Sequence, residues 1–252
     1  MIGRAVDHLI YTAYSGLNAS MNQQRVIANN MANAQTTGFR AEMLVNMPAT
    51  IKGDGLEARA MVDGHVQSSS TKQGELMPTG NPLDIAMTGD TMLAVQAANG
   101  DEAYTRRGDL SVDVNGTLVN GDHLPVLGDS GPITVPPGNT VKIAADGSVL
   151  ASDPTQGSAL PEVIGKLKLA STTGTDVEKA IDGLFRVAGG GILPTDDAAR
   201  VMGSTLEKSN VNATQVLVDM VSAQRLFDMR TTMIATAKSD DEKSTALMGL
   251  PS

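Results

Sequence analysis

A chain of 252 residues with 41% apolar side chains, three Phe, three Tyr and no Trp must build its cores from small aliphatic groups, and it is long enough to hold a large one. Its formal charge of -9 repels phosphate backbones and no basic run of five residues offsets this, which excludes nucleic acid as a partner. The absence of cysteine removes disulfides, thiolate metal sites and thiol catalysis together.

The chain starts Met1-Ile-Gly-Arg-Ala-Val-Asp-His-Leu-Ile, which puts Asp7 and His8 where a secretory signal needs its apolar run. No window approaches the roughly 18 apolar residues of a membrane span, so neither a cleaved signal nor membrane insertion is expected. From Val6, steps of four and three residues select Ile10, Ala13, Leu17, Ser20, Gln24, Ile27, Met31 and Ala34, a seam that is apolar apart from Ser20 and Gln24. A helix along this seam is roughly 40 Å long. Ser20 and Gln24 weaken its packing and can fix its register.

The helix stops within Ala28-Asn-Asn-Met-Ala-Asn-Ala-Gln-Thr-Thr-Gly-Phe39. Asn29, Asn30 and Asn33 compete with the backbone for hydrogen bonds and need partners in a helix. Gly38 suits the left-handed residue past the last turn, with Phe39 folding back on that turn.

After Phe39 the texture changes to short β-type segments. Asp54-Gly55, Gly80-Asn81-Pro82, Asn99-Gly100, Asn115-Gly116, Asn120-Gly121, Pro136-Pro137-Gly138 and Asp146-Gly147 punctuate an all-β region. Ser111 to Val119 reads as a hairpin turning at Asn115-Gly116, and Thr140 to Leu150 as another turning at Asp146-Gly147. Val163 to Ala170 reads as one strand with Lys166 and Lys168 on one face. Asp182-Gly183 is a turn leading into a strand, and Gly189-Gly190-Gly191 a flexible connection.

From Val211 the helical pattern returns along Ala213, Leu217, Met220, Gln224, Phe227, Thr231 and Ile234, with Ser209 or Asn210 as its cap. The fold class is therefore α+β, mainly β: long terminal helices form an antiparallel, coiled-coil-like pair, and an all-β domain is inserted between them. The expected divisions are 1–38 with 206–252 (helical assembly domain), 39–80 with 163–205 (connecting β segments) and 81–162 (central β domain). A helix pair alone leaves Leu9, Val26, Val216, Leu226 and Met233 poorly covered, which favours further helices as partners.

No chemistry stands out. His8, His65 and His123 lack metal-ligand spacing, Asp113-Val-Asn115-Gly116 lacks the glutamate of a calcium loop, and Gly189-Gly-Gly lacks a phosphate-binding lysine. Asp196-Asp197 and Asp240-Asp241-Glu242 read as solvated faces, and no nucleophile elbow occurs. No catalytic, cofactor or metal residues are expected.

The stretch from Ala28 to Phe39 resembles the amino-terminal signature of the flagellar rod and hook proteins. Leu206-Glu-Lys-Ser-Asn-Val-Asn-Ala and Met220-Val-Ser-Ala-Gln-Arg-Leu-Phe-Asp-Met229 resemble that family's carboxyl-terminal helix. Gly80-Asn-Pro-Leu-Asp-Ile-Ala, Tyr104-Thr-Arg-Arg-Gly and Ile143-Ala-Ala-Asp-Gly-Ser-Val are similar to its central β domain. Leu93-Ala-Val-Gln, Gly131-Pro-Ile-Thr-Val-Pro, Gly165-Lys-Leu-Lys-Leu and Asp182-Gly-Leu-Phe-Arg look most like the proximal-rod members. Thr91-Met92-Leu93 stands where many relatives carry Gly-Phe-Phe, which leaves distal rod and hook open.

The resemblance implies a structural subunit whose terminal helices form the inner tube of the periplasmic rod with the β domain outside. It implies polymerisation with copies of itself and other rod subunits, torque passed from motor to hook, and export by the flagellar type III apparatus. Ile10, Ala13, Leu17, Gln24, Ile27, Leu217, Met220, Gln224 and Phe227 are then the expected helix contacts. Asn29, Asn30 and Asn33 are expected to bond between helices or to the connecting strands. The reading from another class is a periplasmic module that binds or hydrolyses cell-wall glycan.

Overall fold

The computed structural model describes residues 2–50, 60–154 and 160–248, with backbone only at 2–13, 45–50, 60–68, 237, 240–242 and 244–248. The chain divides into two compact units. One takes Met1–Ala32, Glu42–Ser68 and Asn212–Ser252; the other takes Asn33–Ala41 and Ser69–Val211.

In the first unit, α1 spans Ile2–Ala32 and α2 spans Ala213–Met248, the latter without an internal Gly or Pro to break it. The two helices pack against each other. Small residues make this possible: Ser15, Ala19 and Ser20 of α1 are buried beside Gly16. Arg230 of α2 reaches this patch, donating from Nη1 to the Gly16 carbonyl at 2.5 Å and to the Ser20 hydroxyl. Ser20 on the seam thus accepts a charge-assisted bond from α2. The face α2 buries is carried by Val216 and Ala223, with Leu226, Phe227 and Arg230 half-buried. Val26 and Val216, expected to be poorly covered, are both buried within this unit. Its remaining strands, β1 (Glu42–Thr50) and β2 (Ala60–Ser69), pair as a two-stranded sheet.

The cap of α2 differs from the expected Ser209 or Asn210. Asn212 Oδ1 accepts the Gln215 N–H at 3.1 Å, satisfying a free donor of the first turn. Asn210 is committed elsewhere: its Oδ1 accepts from Ala41 N and its Nδ2 donates to the Lys72 carbonyl, each at 2.7 Å.

The second unit is all β. It opens with β3 (Leu76–Pro78), β4 (Ile85–Met87), β5 (Thr91–Gln96) and β6 (Glu102–Thr105). The hairpin β7 (Leu110–Val112) and β8 (Leu118–Asn120) turns at Asn115-Gly116 as expected, with Val112 opposite Leu118. After β9 (Leu127–Gly128) and β10 (Gly131–Pro132) comes the second expected hairpin, β11 (Thr140–Ile143) with β12 (Ser148–Ser152), turning at Asp146-Gly147.

The stretch Val163 to Ala170 is not one strand. β13 (Glu162–Lys166) extends the β11–β12 sheet, whereas β14 (Leu169–Ser171) joins β5 in another. Leu167, buried in the core, and Lys168 carry the chain between the two sheets. β15 (Val177–Lys179) and β16 (Phe185–Val187) follow, then β17 (Val201–Gly203) and β18 (Thr205–Glu207).

The five-stranded antiparallel sheet, ordered β14-β5-β6-β16-β15, is covered on both faces. Alternation along β5 shows this directly. Leu93 and Val95 point into a core with Ile85, Met87, Leu118, Val149 and Leu169, while Met92 and Ala94 join Tyr104, Ala170, Phe185 and Leu193. The core is mainly aliphatic, as an aromatic-poor composition requires, with Tyr104 and Phe185 as its buried aromatic members.

The last two strands return to the first two: β17 pairs with β4, and β18 with β3. Between them Ser204 takes a left-handed backbone with φ of 53°, and its carbonyl accepts from Thr79 N and Gly80 N. A side chain is disfavoured there, so Ser204→Gly is expected to stabilise the protein by about 0.5–1 kcal/mol, read as a higher urea midpoint. An unchanged or lower midpoint contradicts the strain argument.

Candidate functional site

Two constructions stand out, one in each unit. The first is the outer surface of α2. Leu217, Val218, Met220, Val221, Met229 and Met233 are all exposed, a concentration of large apolar side chains open to water on one helix. On α1, Tyr14 and Met21 are exposed as well.

The expected contact residues distribute over this unit unevenly. Ile27 and Asn30 are buried; Leu17, Gln24, Asn29 and Phe227 are half-buried; Leu217, Met220 and Gln224 are exposed. Ile10 and Ala13 lie on α1, with side chains outside the described residues. The predicted seam of α2 is therefore largely its open side, one position round from the buried Val216 and Ala223.

The asparagines have definite partners. Asn30 clasps the backbone of Glu42 in β1, its Nδ2 donating to the carbonyl at 2.9 Å and its Oδ1 accepting the N–H at 2.8 Å. Asn29 Nδ2 donates to the Glu42 carboxylate at 2.5 Å. Asn33, in the β unit, accepts from the Thr36 hydroxyl at 3.2 Å. Gly38 is left-handed as expected, but six residues beyond the last helical residue, Ala32, and its N–H donates to the Glu207 carbonyl at 2.7 Å. Phe39 lies under Lys179 Nζ, 3.5 Å from the ring centroid, a cation–π contact.

The second construction was not anticipated from the sequence. Arg40, Arg106 and Glu207 are each less than 5% exposed and form a buried triad. Arg106 holds Glu207 Oε2 through Nε at 3.0 Å and Nη2 at 2.6 Å. Its other donors reach the carbonyls of Met87 (3.0 Å), Gly89 (2.7 Å) and Thr91 (2.5 Å). Glu207 Oε1 takes Arg40 Nη2 at 2.9 Å and the Gly74 N–H at 2.9 Å. Burial holds the Arg40 guanidinium below its ordinary pKa, and the like charge of Arg106 adds to this against the pull of Glu207. Every polar atom named here has a partner, which is the condition for keeping such charges buried. Arginine is suited to this by its planar fork of donors.

A smaller network sits at Tyr104, whose hydroxyl donates to Glu102 at 2.6 Å and accepts the Leu193 N–H at 2.6 Å. Burial, then the bond to Glu102, raises the phenol pKa. Lys168 closes the network on Glu102 at 2.6 Å. Beside it an open groove of about 590 Å³ is lined by Asp101, Glu178, Lys179, Arg186 and Ile192, with charges of both signs. Among the described residues no three potential metal ligands converge, and no helix is long and apolar enough to cross a membrane. Asp197 is largely exposed and its contact is a 3.4 Å pair with Lys166.

Three family descriptions match the chain in sequence. Residues 10–40 match the flagella basal body rod protein family, residues 86–151 the flagellar hook protein FlgE/F/G D1 domain, and residues 202–247 the flagellar basal body rod FlgEFG protein C-terminal family. The chain is 38% identical to the flagellar basal-body rod protein FlgF of Escherichia coli (strain K12), covering 97% of this chain and 100% of the relative. It is 37% identical to FlgF of Salmonella typhimurium over the same shares. Identity to the basal-body rod protein FlgG of Agrobacterium fabrum is 32%, covering 89% of this chain and 93% of the relative.

Proposed function

Since the chain belongs to the FlgF family of flagellar basal-body rod proteins, we propose that it is a structural subunit of the rod that polymerises through α1 and α2, paired as an antiparallel coiled coil. In this reading the polymer is the shaft that transmits torque from motor to hook. Copies of the chain and other rod subunits are its partners, and the flagellar type III apparatus exports it. Its role is mechanical, as the relatives' names as rod proteins suggest, and calls for no catalysis.

The observation that carries the assembly reading is the uncovered apolar side of α2. A helix of 36 residues that buries Val216 and Ala223 inward while leaving Leu217, Met220 and Met233 in water is suited to neighbours on that second side. We assign Ile10, Ala13, Leu17, Gln24, Ile27, Leu217, Met220, Gln224 and Phe227 to contacts within and between helix pairs. Asn29, Asn30 and Asn33 set the helix-to-strand junction, with Asn30 holding Glu42.

The test is the double substitution Leu217→Asp and Met220→Asp, both at exposed positions. The purified monomer keeps its urea midpoint, while incorporation into isolated basal bodies falls by about tenfold or more, as expected for unpaired charges in an apolar contact. Normal incorporation overturns the assignment of this face. The likeness to FlgG favours a second reading, another axial subunit of the rod. Electron microscopy of basal bodies carrying a labelled copy separates the two by position.

A further inference from the structure

The three charges of the buried triad fall in an order that a growing chain meets with its neutralising group last. Arg40 and Arg106 come early, whereas Glu207, the carboxylate that bonds both, is the final residue of the final strand. Arg106 lies at the centre of what the early strands assemble. Its donors hold three carbonyls between Met87 and Thr91, in and next to β4 and β5, so closing those strands around it buries a guanidinium.

We propose that the Arg40–Glu207–Arg106 triad is a folding-order device that keeps the β unit open until the β17–β18 segment has joined it. Two unneutralised guanidiniums in a low-dielectric core cost as much as a whole domain has in stability, so the early strands do not close alone. The like charge of Arg106 already disfavours the charged form of Arg40 with Glu207 in place, and without that carboxylate only the weaker pull of Asp90 opposes the repulsion. Pairing points the same way. β17 covers β4 and β18 covers β3, so the same late segment that brings the carboxylate also completes the two opening strands.

The inference does not depend on the rod reading, because any chain made or exported from its amino terminus presents Glu207 last. For a subunit passed through a narrow channel the consequence is direct. The portion that has emerged stays open until nearly the whole β unit is out, so no prematurely closed fragment has to be remodelled.

Refolding of the full-length chain, followed by pulsed amide exchange, tests this. Gln96 and Leu118 donate to the carbonyls of Pro125 and Ile133, so their protection reports the early part of the unit. Lys208, which donates to the Glu75 carbonyl, and Gly38, which donates to the main-chain carbonyl of Glu207, report the arrival of β18. The two sets are expected to become protected together in the natural chain. Glu207→Gln slows both by about tenfold or more. In the charge-free variant Arg40→Met/Arg106→Met/Glu207→Met the early set is expected to lead by about tenfold or more, since its barrier is gone. This variant keeps the test decisive where Glu207→Gln does not fold. The proposal is overturned if Gln96 and Leu118 lead Gly38 and Lys208 by tenfold in the natural chain, or if the charge-free variant still protects both sets together.

Discussion

Glu207→Leu is expected to destabilise the β unit by about 3–5 kcal/mol, read as a lower urea midpoint with an unchanged slope. The substitution leaves two buried guanidiniums without a counter-charge and removes the acceptor of the Gly74 N–H. The contrast with the adjacent ion pair is instructive. Lys208 and Glu75 meet at 3.0 Å on the surface, and removing either is expected to change stability by about 0–1 kcal/mol, because water already solvates both. A Glu207→Leu loss as small as that of Glu75→Ala contradicts the assignment of the triad as a buried hub.

Gly38→Ala is expected to cost about 2–4 kcal/mol by the same measurement. Two effects add. The backbone there has φ of 68°, and a Cβ would lie 2.4 Å from the carbonyl carbon and oxygen of Arg106, atoms of the main chain that cannot swing aside. Gly80 separates the two effects, since its φ is 80° but nothing lies within 4 Å of the added carbon. Gly80→Ala is therefore expected to cost only the conformational part, about 1–2 kcal/mol. Equal losses at the two positions contradict a role for the Arg106 backbone contact. Gly38 thus belongs to the closure of the β unit rather than to the end of α1.

What the sequence made legible was local chemistry. Asn115-Gly116 and Asp146-Gly147 determine their hairpins within a few residues, and both turned where expected. The first helix and its asparagine-rich end were equally plain, because apolar spacing and amide competition act over one or two turns. The face of α2 was not, since its apolar residues surround the helix and no single stripe marks the buried side. Its cap was misplaced because Ser209, Asn210 and Asn212 all suit the position, and only the bonds of Asn210 to Ala41 and Lys72 show why it is already occupied.

Long-range features left no trace of this kind. Val163 to Ala170 alternates like one strand, and nothing local reveals that Leu167 is buried at a crossing between sheets. Arg106 and Glu207 are 101 residues apart, and a lone Arg or Glu in a sequence is properly read as solvated until its partner is placed. The motif Tyr104-Thr-Arg-Arg-Gly carried the family likeness without disclosing that Arg106 is buried while Arg107 pairs with Asp109 nearer the surface.

The pairing of β3 with β18 places Leu76 opposite Glu207, and that of β4 with β17 places Ile85 opposite Gly203. The two ends of the segment Ser69–Val211 of the β unit are thus held a strand's width apart by hydrogen bonds of that unit alone. Loops at the far ends of its hairpins can lengthen or shorten without altering that spacing. Such a unit behaves as a cassette: its size and surface can diverge between subunits while the gap it spans in the chain stays constant.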